Sequence, residues 1–216
     1  MKTNPGFASS FLLASALASI AAAGCGDSPG SCGTVQPCGG DAVGTWNATA
    51  ACANKANAEM TFLQIAGALG CQDATLGSYS LAASGNATFA ADLSYTSTLA
   101  VRTSANVNVP STCLQGLSCG LLTLGFQNTT TQFGTIESAN CTGSGSCTCA
   151  LTISAPVFDS PGTYTVSASG TVLSLTSAAG TVGDEPYCVK GSELHIISLD
   201  TTMSPATVAG DIVLKK

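Results

Sequence analysis

Eleven cysteines in a chain of 216 residues restrict the fold more than any other feature. They run from Cys25 to Cys188. What they do depends on the compartment, and the N-terminus speaks to that. Lys2 gives a small positive start, and "FLLASALASIAAAG" from Phe11 to Gly24 is apolar and small. As a helix that stretch is roughly 21 Å long, short of a bilayer core of about 30 Å. No stop-transfer pattern follows, so it has the character of a secretory signal rather than a span. An exported chain meets oxidising conditions, which makes disulfides the expectation. Eleven is odd, however, and an odd count leaves one thiol over.

The leftover thiol has a candidate. "AAGC" (Ala22 to Cys25) resembles the lipobox of bacterial lipoproteins, in which a cysteine is diacylated and becomes the new N-terminus. Such lipoboxes usually carry Leu three positions before the cysteine, and here Ala22 stands there. "GDSPGSCGTVQPCGG" follows, a Gly-, Ser- and Pro-rich run suited to a tether. Gly26 is not the aspartate that holds many such proteins at the inner membrane, so the resemblance implies the outer membrane. The alternative is a cut after Ala23 and a freely secreted protein. With Cys25 as the lipidation site, ten cysteines remain as disulfide candidates: Cys32, Cys38, Cys52, Cys71, Cys113, Cys119, Cys141, Cys147, Cys149 and Cys188. The division expected is 1–24 signal peptide, 25–40 lipidated tether, 41–200 disulfide-stapled β domain and 201–216 C-terminal strand or tail.

Charge excludes some functions. Only 8% of residues are charged, and the formal net charge is -6. A basic face is absent, so nucleic acid is not an expected partner. The surface must be covered largely by Ser, Thr, Asn and Gly. Four Asn-x-Ser/Thr triplets, at Asn47, Asn86, Asn128 and Asn140, are what such a surface yields by chance.

Strand patterning dominates the rest. From Thr88 the chain alternates, with Phe89, Ala91, Leu93 and Tyr95 on one face, a parity that continues through Leu99, Val101, Val107 and Val109. "CTCALTISA" puts Cys149, Leu151, Ile153 and Ala155 together, and Cys147 with them. "GTYTVSASGTVLSLTS" predicts two short strands around Ser169 and Gly170. "YCVKGSELHIIS" predicts a hairpin turning near Lys190 and Gly191. "GLLTLGF" (Gly120 to Phe126) is assigned to a strand, while "AEMTFLQIAGALG" (Ala58 to Gly70) fits either a helix or a strand, with the strand preferred. The sum is an all-β chain of about eight to ten strands, an antiparallel meander closing as a barrel or a sandwich.

"GTWN" resembles the lipocalin G-x-W motif, with Gly44 and Trp46 at the matching positions. The resemblance implies a first strand there, with the tryptophan as part of the barrel-base core. It also implies a late arginine over that ring, but this chain has none after Arg102; its later cations are Lys190, Lys215 and Lys216. The tether, the "GTW", the strand cysteines and the "YCV-x-G-x-x-L" ending together resemble uncharacterised cysteine-rich lipoproteins of myxobacterial type, over most of Asp41 to Leu199.

Catalytic signatures are weak. G-x-S-x-G occurs at Gly26–Gly30 and at Gly116–Gly120, in neither case between a strand and a helix in this reading, and there is no H-E-x-x-H or P-loop. "CTC" has one residue between its thiols, not the two of a redox or zinc pair. His195, with Glu193 two residues away and Asp200 further on, is expected to be a satisfied strand histidine. Glu137, Asp159, Asp184, Glu185 and Glu193 supply carboxylates without an aromatic cleft for a glycosidase. The expectation is therefore a non-enzyme with no cofactor and no metal. It is a lipid-anchored structural or interaction module outside the cytoplasm, touching the membrane through its lipid. The alternative is a lipocalin-like carrier of a small apolar ligand, with Phe89, Leu93, Tyr95 and Leu151 lining the cavity. A secreted hydrolase is a distant third.

Overall fold

The computed structural model describes residues 35–129, 131, 134–158, 160–180, 182–200 and 206–216. The expected signal (1–24), Cys25, Cys32 and Asp159 lie outside these described residues.

In chain order the elements are β1 (Gly44–Ala53), α1 (Lys55–Ala68), β2 (Thr75–Ser84), β3 (Asn86–Phe89) and β4 (Ser94–Ser97). Then come β5 (Ala100–Val109), α2 (Ser111–Leu114), α3 (Cys119–Gln127), β6 (Thr135–Thr142) and β7 (Cys147–Pro156). The last are β8 (Gly162–Val166), β9 (Val172–Ser177), β10 (Val182–Lys190), β11 (Glu193–Asp200) and β12 (Thr207–Lys215).

Eight strands close into an antiparallel barrel in the order β1-β12-β11-β10-β9-β8-β4-β3. The all-β barrel expected from the patterning is present. Its path is an up-and-down meander interrupted twice, after β1 and after β4. The excursions build a second, four-stranded sheet in the order β2-β5-β7-β6. These extra strands raise the number to twelve among the described residues, above the eight to ten expected. Closure by β12, paired with both β1 and β11, carries the β domain past residue 200 to Lys215.

One long hairpin joins the two sheets. β2 runs into β3 across Gly85, and β4 into β5 across Thr98 and Leu99. Gly85 sits at φ +88°, and a Cβ there would strike the Thr98 carbonyl oxygen. Only glycine fits such a close approach in that conformation. The bend it permits swings the hairpin from the barrel into the second sheet.

Each sheet has its own core. The barrel interior holds Trp46, Phe89, Tyr95, Leu173, Tyr187 and Leu194. The second core holds Phe62, Ile65, Val107, Phe126, Cys149 and Leu151, between the second sheet and its helices. The Cys147, Cys149, Leu151 and Ile153 alternation is buried as expected. The β10–β11 hairpin pairs Tyr187 with Ile196 and Val189 with Leu194, turning at Gly191 and Ser192.

Two segments assigned to strands are helices. In α1 the buried positions are Ala58, Phe62, Ile65 and Ala66, a helical spacing. Met60, which spoils the period when counted as core, is 53% exposed. Alanine fills two of the core positions, so the stripe is faint in hydrophobicity. Gly70 at φ +84° terminates the helix, with Cys71 N–H donating to the Ala66 carbonyl at 3.0 Å. In α3 the Ser118 hydroxyl accepts from Leu121 N–H at 3.3 Å, and Leu122 and Phe126 are buried. An apolar run of that length is ambiguous by period alone.

Four disulfides are described: Cys38–Cys188, Cys71–Cys113, Cys119–Cys147 and Cys141–Cys149. Cys52 is disulfide-bonded as well. The first ties the segment before β1 onto β10, where Gly39 bridges Cys188. The other three described pairs all lie in the second lobe. Cys141 and Cys149 face each other in register on β6 and β7. Cys147, on the same face as Cys149, reaches α3 instead.

Candidate functional site

The barrel has two ends of different chemistry. The base is built on β1. Trp46 is fully buried, and its indole Nε1–H donates to the Ala42 carbonyl at 2.7 Å. The ammonium of Lys216 lies 4.4 Å from the ring centroid. That is a cation–π contact, with the cation on the negative face of the ring. Gly44 permits it: its φ is +137°, and a Cβ there would lie 2.7 Å from Lys216 Cε. The cation over the ring is Lys216, not an arginine. Gly44 and Trp46 thus meet at the barrel base.

The opposite end is the mouth. The β10–β11 turn sits at the base, where Lys216 N–H donates to the Ser192 carbonyl at 3.1 Å. The start of β10 and the end of β9 are therefore at the mouth. Glu185 shares the inner face of β10 with Tyr187 and Gly183. The segment after β7 folds over this opening and brings Phe158 edge-on to Tyr95, with ring centres 6.4 Å apart at 82°. Between them lies a cavity of about 170 Å³, lined by Tyr95, Val157, Phe158, Leu175, Ser177 and Glu185 among others. Burial, with Asp184 adding to it, pushes the Glu185 carboxyl up to about 7.

The lining expected for an apolar carrier does not assemble. Phe89 and Tyr95 face the barrel interior as register partners. Leu93 sits in the intervening turn at φ 68° and is 49% exposed. The alternation breaks at that turn, so the shared parity of Phe89 and Leu93 does not mean a shared face. Leu151 belongs to the other core. The mouth cavity is smaller than the roughly 300–1,000 Å³ typical of drug-sized ligand pockets.

His195 is on the outer face of β11 and is buried. Its Nδ1 is 2.9 Å from Asp211 Oδ2 on β12, while Nε2 faces Glu193 at 3.8 Å. The Asp211 hydrogen bond raises the imidazole pKa and outweighs the opposing effect of burial. Lys215 holds Glu193 at 2.9 Å and lowers its carboxyl pKa. The orienting carboxylate is thus Asp211, which is sixteen positions away in sequence and invisible to local reading. The ring nitrogen a general base would use faces a carboxylate. Among the other acids weighed, Glu137 pairs with Arg102 at 2.7 Å and Asp184 accepts from the Ser174 hydroxyl at 2.6 Å. They do not converge on a cleft. Among the described residues, no cluster of three or more His, Cys, Asp or Glu could hold a metal ion.

No protein-family model matches this chain, and neither does any curated protein or solved structure.

Proposed function

We propose that the protein is a lipid-anchored module of the outer membrane, held by acylated Cys25, that presents a disulfide-stapled β-barrel as a structural or interaction unit. The observation that carries this reading is the state of the cysteines. All nine described cysteines are in disulfides, as an oxidising compartment outside the cytoplasm produces. Eight of the nine are bonded to one another. In this proposal the partner of Cys52 is one of the two remaining cysteines, Cys25 or Cys32. Acylation of Cys25 assigns Cys32 to Cys52, and every cysteine has a role. The resemblance to cysteine-rich lipoproteins of myxobacterial type agrees with this division of labour. The barrel supports a presenting role: its base is closed by Trp46 and Lys216, and its interior is filled by large side chains.

The test is fractionation of cells expressing the full chain or its Cys25→Ser variant. The proposal predicts wild type in the outer-membrane fraction, released by detergent and not by high salt, and the variant lost from it. Wild type recovered in the soluble extracytoplasmic fraction would contradict it.

A further inference from the structure

The mouth of the barrel holds a carboxylate with no counter-charge among the described residues. Glu185 stands half-buried at the cavity wall. Among the described residues it has no ion pair and no hydrogen-bond donor. The described cations with ion pairs or ring contacts are committed elsewhere: Arg102 to Glu137, Lys215 to Glu193, and Lys216 to Trp46. Taking a carboxylate partly out of water without a partner is costly, and folding gains nothing from it. A neutral side chain would pack this mouth better. Sites that keep such a cost are often sites that bind.

The surroundings define what would bind. Tyr95 and Phe158 form an aromatic corner, and Val157 and Leu175 add apolar wall. Aromatic faces attract cations and tolerate methyl groups, which is how quaternary ammonium groups are held in aromatic cages. Gly183 keeps the space open: a Cβ there would already be 3.6 Å from Glu185 Oε1. An anion would meet Glu185 and Asp184 as like charges. A neutral apolar ligand would leave the carboxylate unpaired. A metal ion would have too few ligands.

We propose that the barrel mouth is a binding site for a small organic ammonium group, with Glu185 as the counter-charge and Tyr95 and Phe158 as aromatic walls. The cavity admits a methylated or short-chain amine, or the amine end of a longer molecule. This site does not depend on the lipid anchor, and either proposal can fail without the other.

Binding requires ionised Glu185, so it is linked to pH. Among the described residues the charged neighbour is Asp184 on the same strand, and Tyr95 from β4 is the other titratable side chain at the cavity. β9 presents Leu175 and Ser177 there, and the segment after β7 presents Pro156, Val157 and Phe158. With the Glu185 carboxyl at about 7, its ionised fraction rises about tenfold between pH 6 and pH 8.

Tetramethylammonium and n-butylammonium are the probes, titrated into the oxidised full-length mature protein and followed by NMR. Saturable shifts at Tyr95, Phe158 and Glu185 are expected, with affinity rising about tenfold from pH 6 to pH 8. Glu185→Gln keeps shape and removes charge, and should weaken binding at least about tenfold. Gly183→Val keeps the carboxylate but fills the mouth, and should abolish binding. The pH series in wild type stands even if a variant fails to fold. Absence of saturable shifts, equal affinity at the two pH values, or equal binding of the neutral isostere tert-butanol would each overturn the proposal.

Discussion

At the scale of single residues the barrel ends explain themselves by charge and space. Gly44 and Trp46 were legible as a pair, because G-x-W is a local pattern. Lys216 was not, since the contact that gives it meaning joins the first strand to the last residue. Glu185 was visible only as one acid among several; its isolation needs the neighbours that the fold supplies. The two buried titrations have the same sign. The Glu185 carboxyl is raised from its ordinary 4.5 to about 7, so ionisation costs the folded state as pH climbs through that window. The His195 pKa is raised above 6.5, so its stabilising protonated form is complete below 6.5 and lost as pH rises through the folded value. Stability should therefore decline from pH 5 to pH 8. Glu185→Gln should recover part of that loss, on the order of 1–2 kcal/mol after allowance for partial exposure, and change little below pH 5. Urea midpoints across this range measure it, and a wild-type stability that rises towards pH 8 would contradict the account.

At the scale of elements, strands whose polar and apolar residues alternate were legible and helices were not. β7 and the β10–β11 hairpin each carry a buried face of large side chains, and their period is plain. α1 hides its stripe because Ala58 and Ala66 are core while Met60 is exposed. α3 hides it because Leu121 and Leu124, each 53% exposed, interrupt the Leu122 and Phe126 pair. Tertiary packing and caps decide both. The Ser118 cap makes this testable. Ser118→Ala removes the acceptor for Leu121 N–H and should cost about 0.5–1 kcal/mol in denaturant unfolding. An unchanged midpoint would mean that the disulfide at Cys119 alone fixes the start of α3.

At the scale of the whole molecule, the chain builds two cores on one shared hairpin. Sequence reading, which left barrel or sandwich open, ran one packed face from Phe89 through Val109, yet Phe89 and Tyr95 belong to the barrel core and Val107 and Val109 to the other. Staples concentrate where the core is built of smaller side chains: three of the four described disulfides lie in the second lobe, whose core includes five alanines. There a four-stranded sheet buries one face under short helices and leaves Ser, Thr and Asn on the other. Small side chains each bury little apolar surface, and cross-links add stability by constraining the unfolded chain. The barrel carries Cys38–Cys188, which closes a separation of 150 residues. Parity of the cysteines links this architecture to the anchor, and one measurement examines both. It is the intact mass of the protein from its own membrane fraction, alkylated without reduction and then digested. The account predicts a chain from Cys25 to Lys216 carrying a diacyl or triacyl addition and no alkyl group, with Cys32 and Cys52 in one cross-linked peptide. A chain beginning at Gly24, without lipid and with one alkylated thiol, would contradict it.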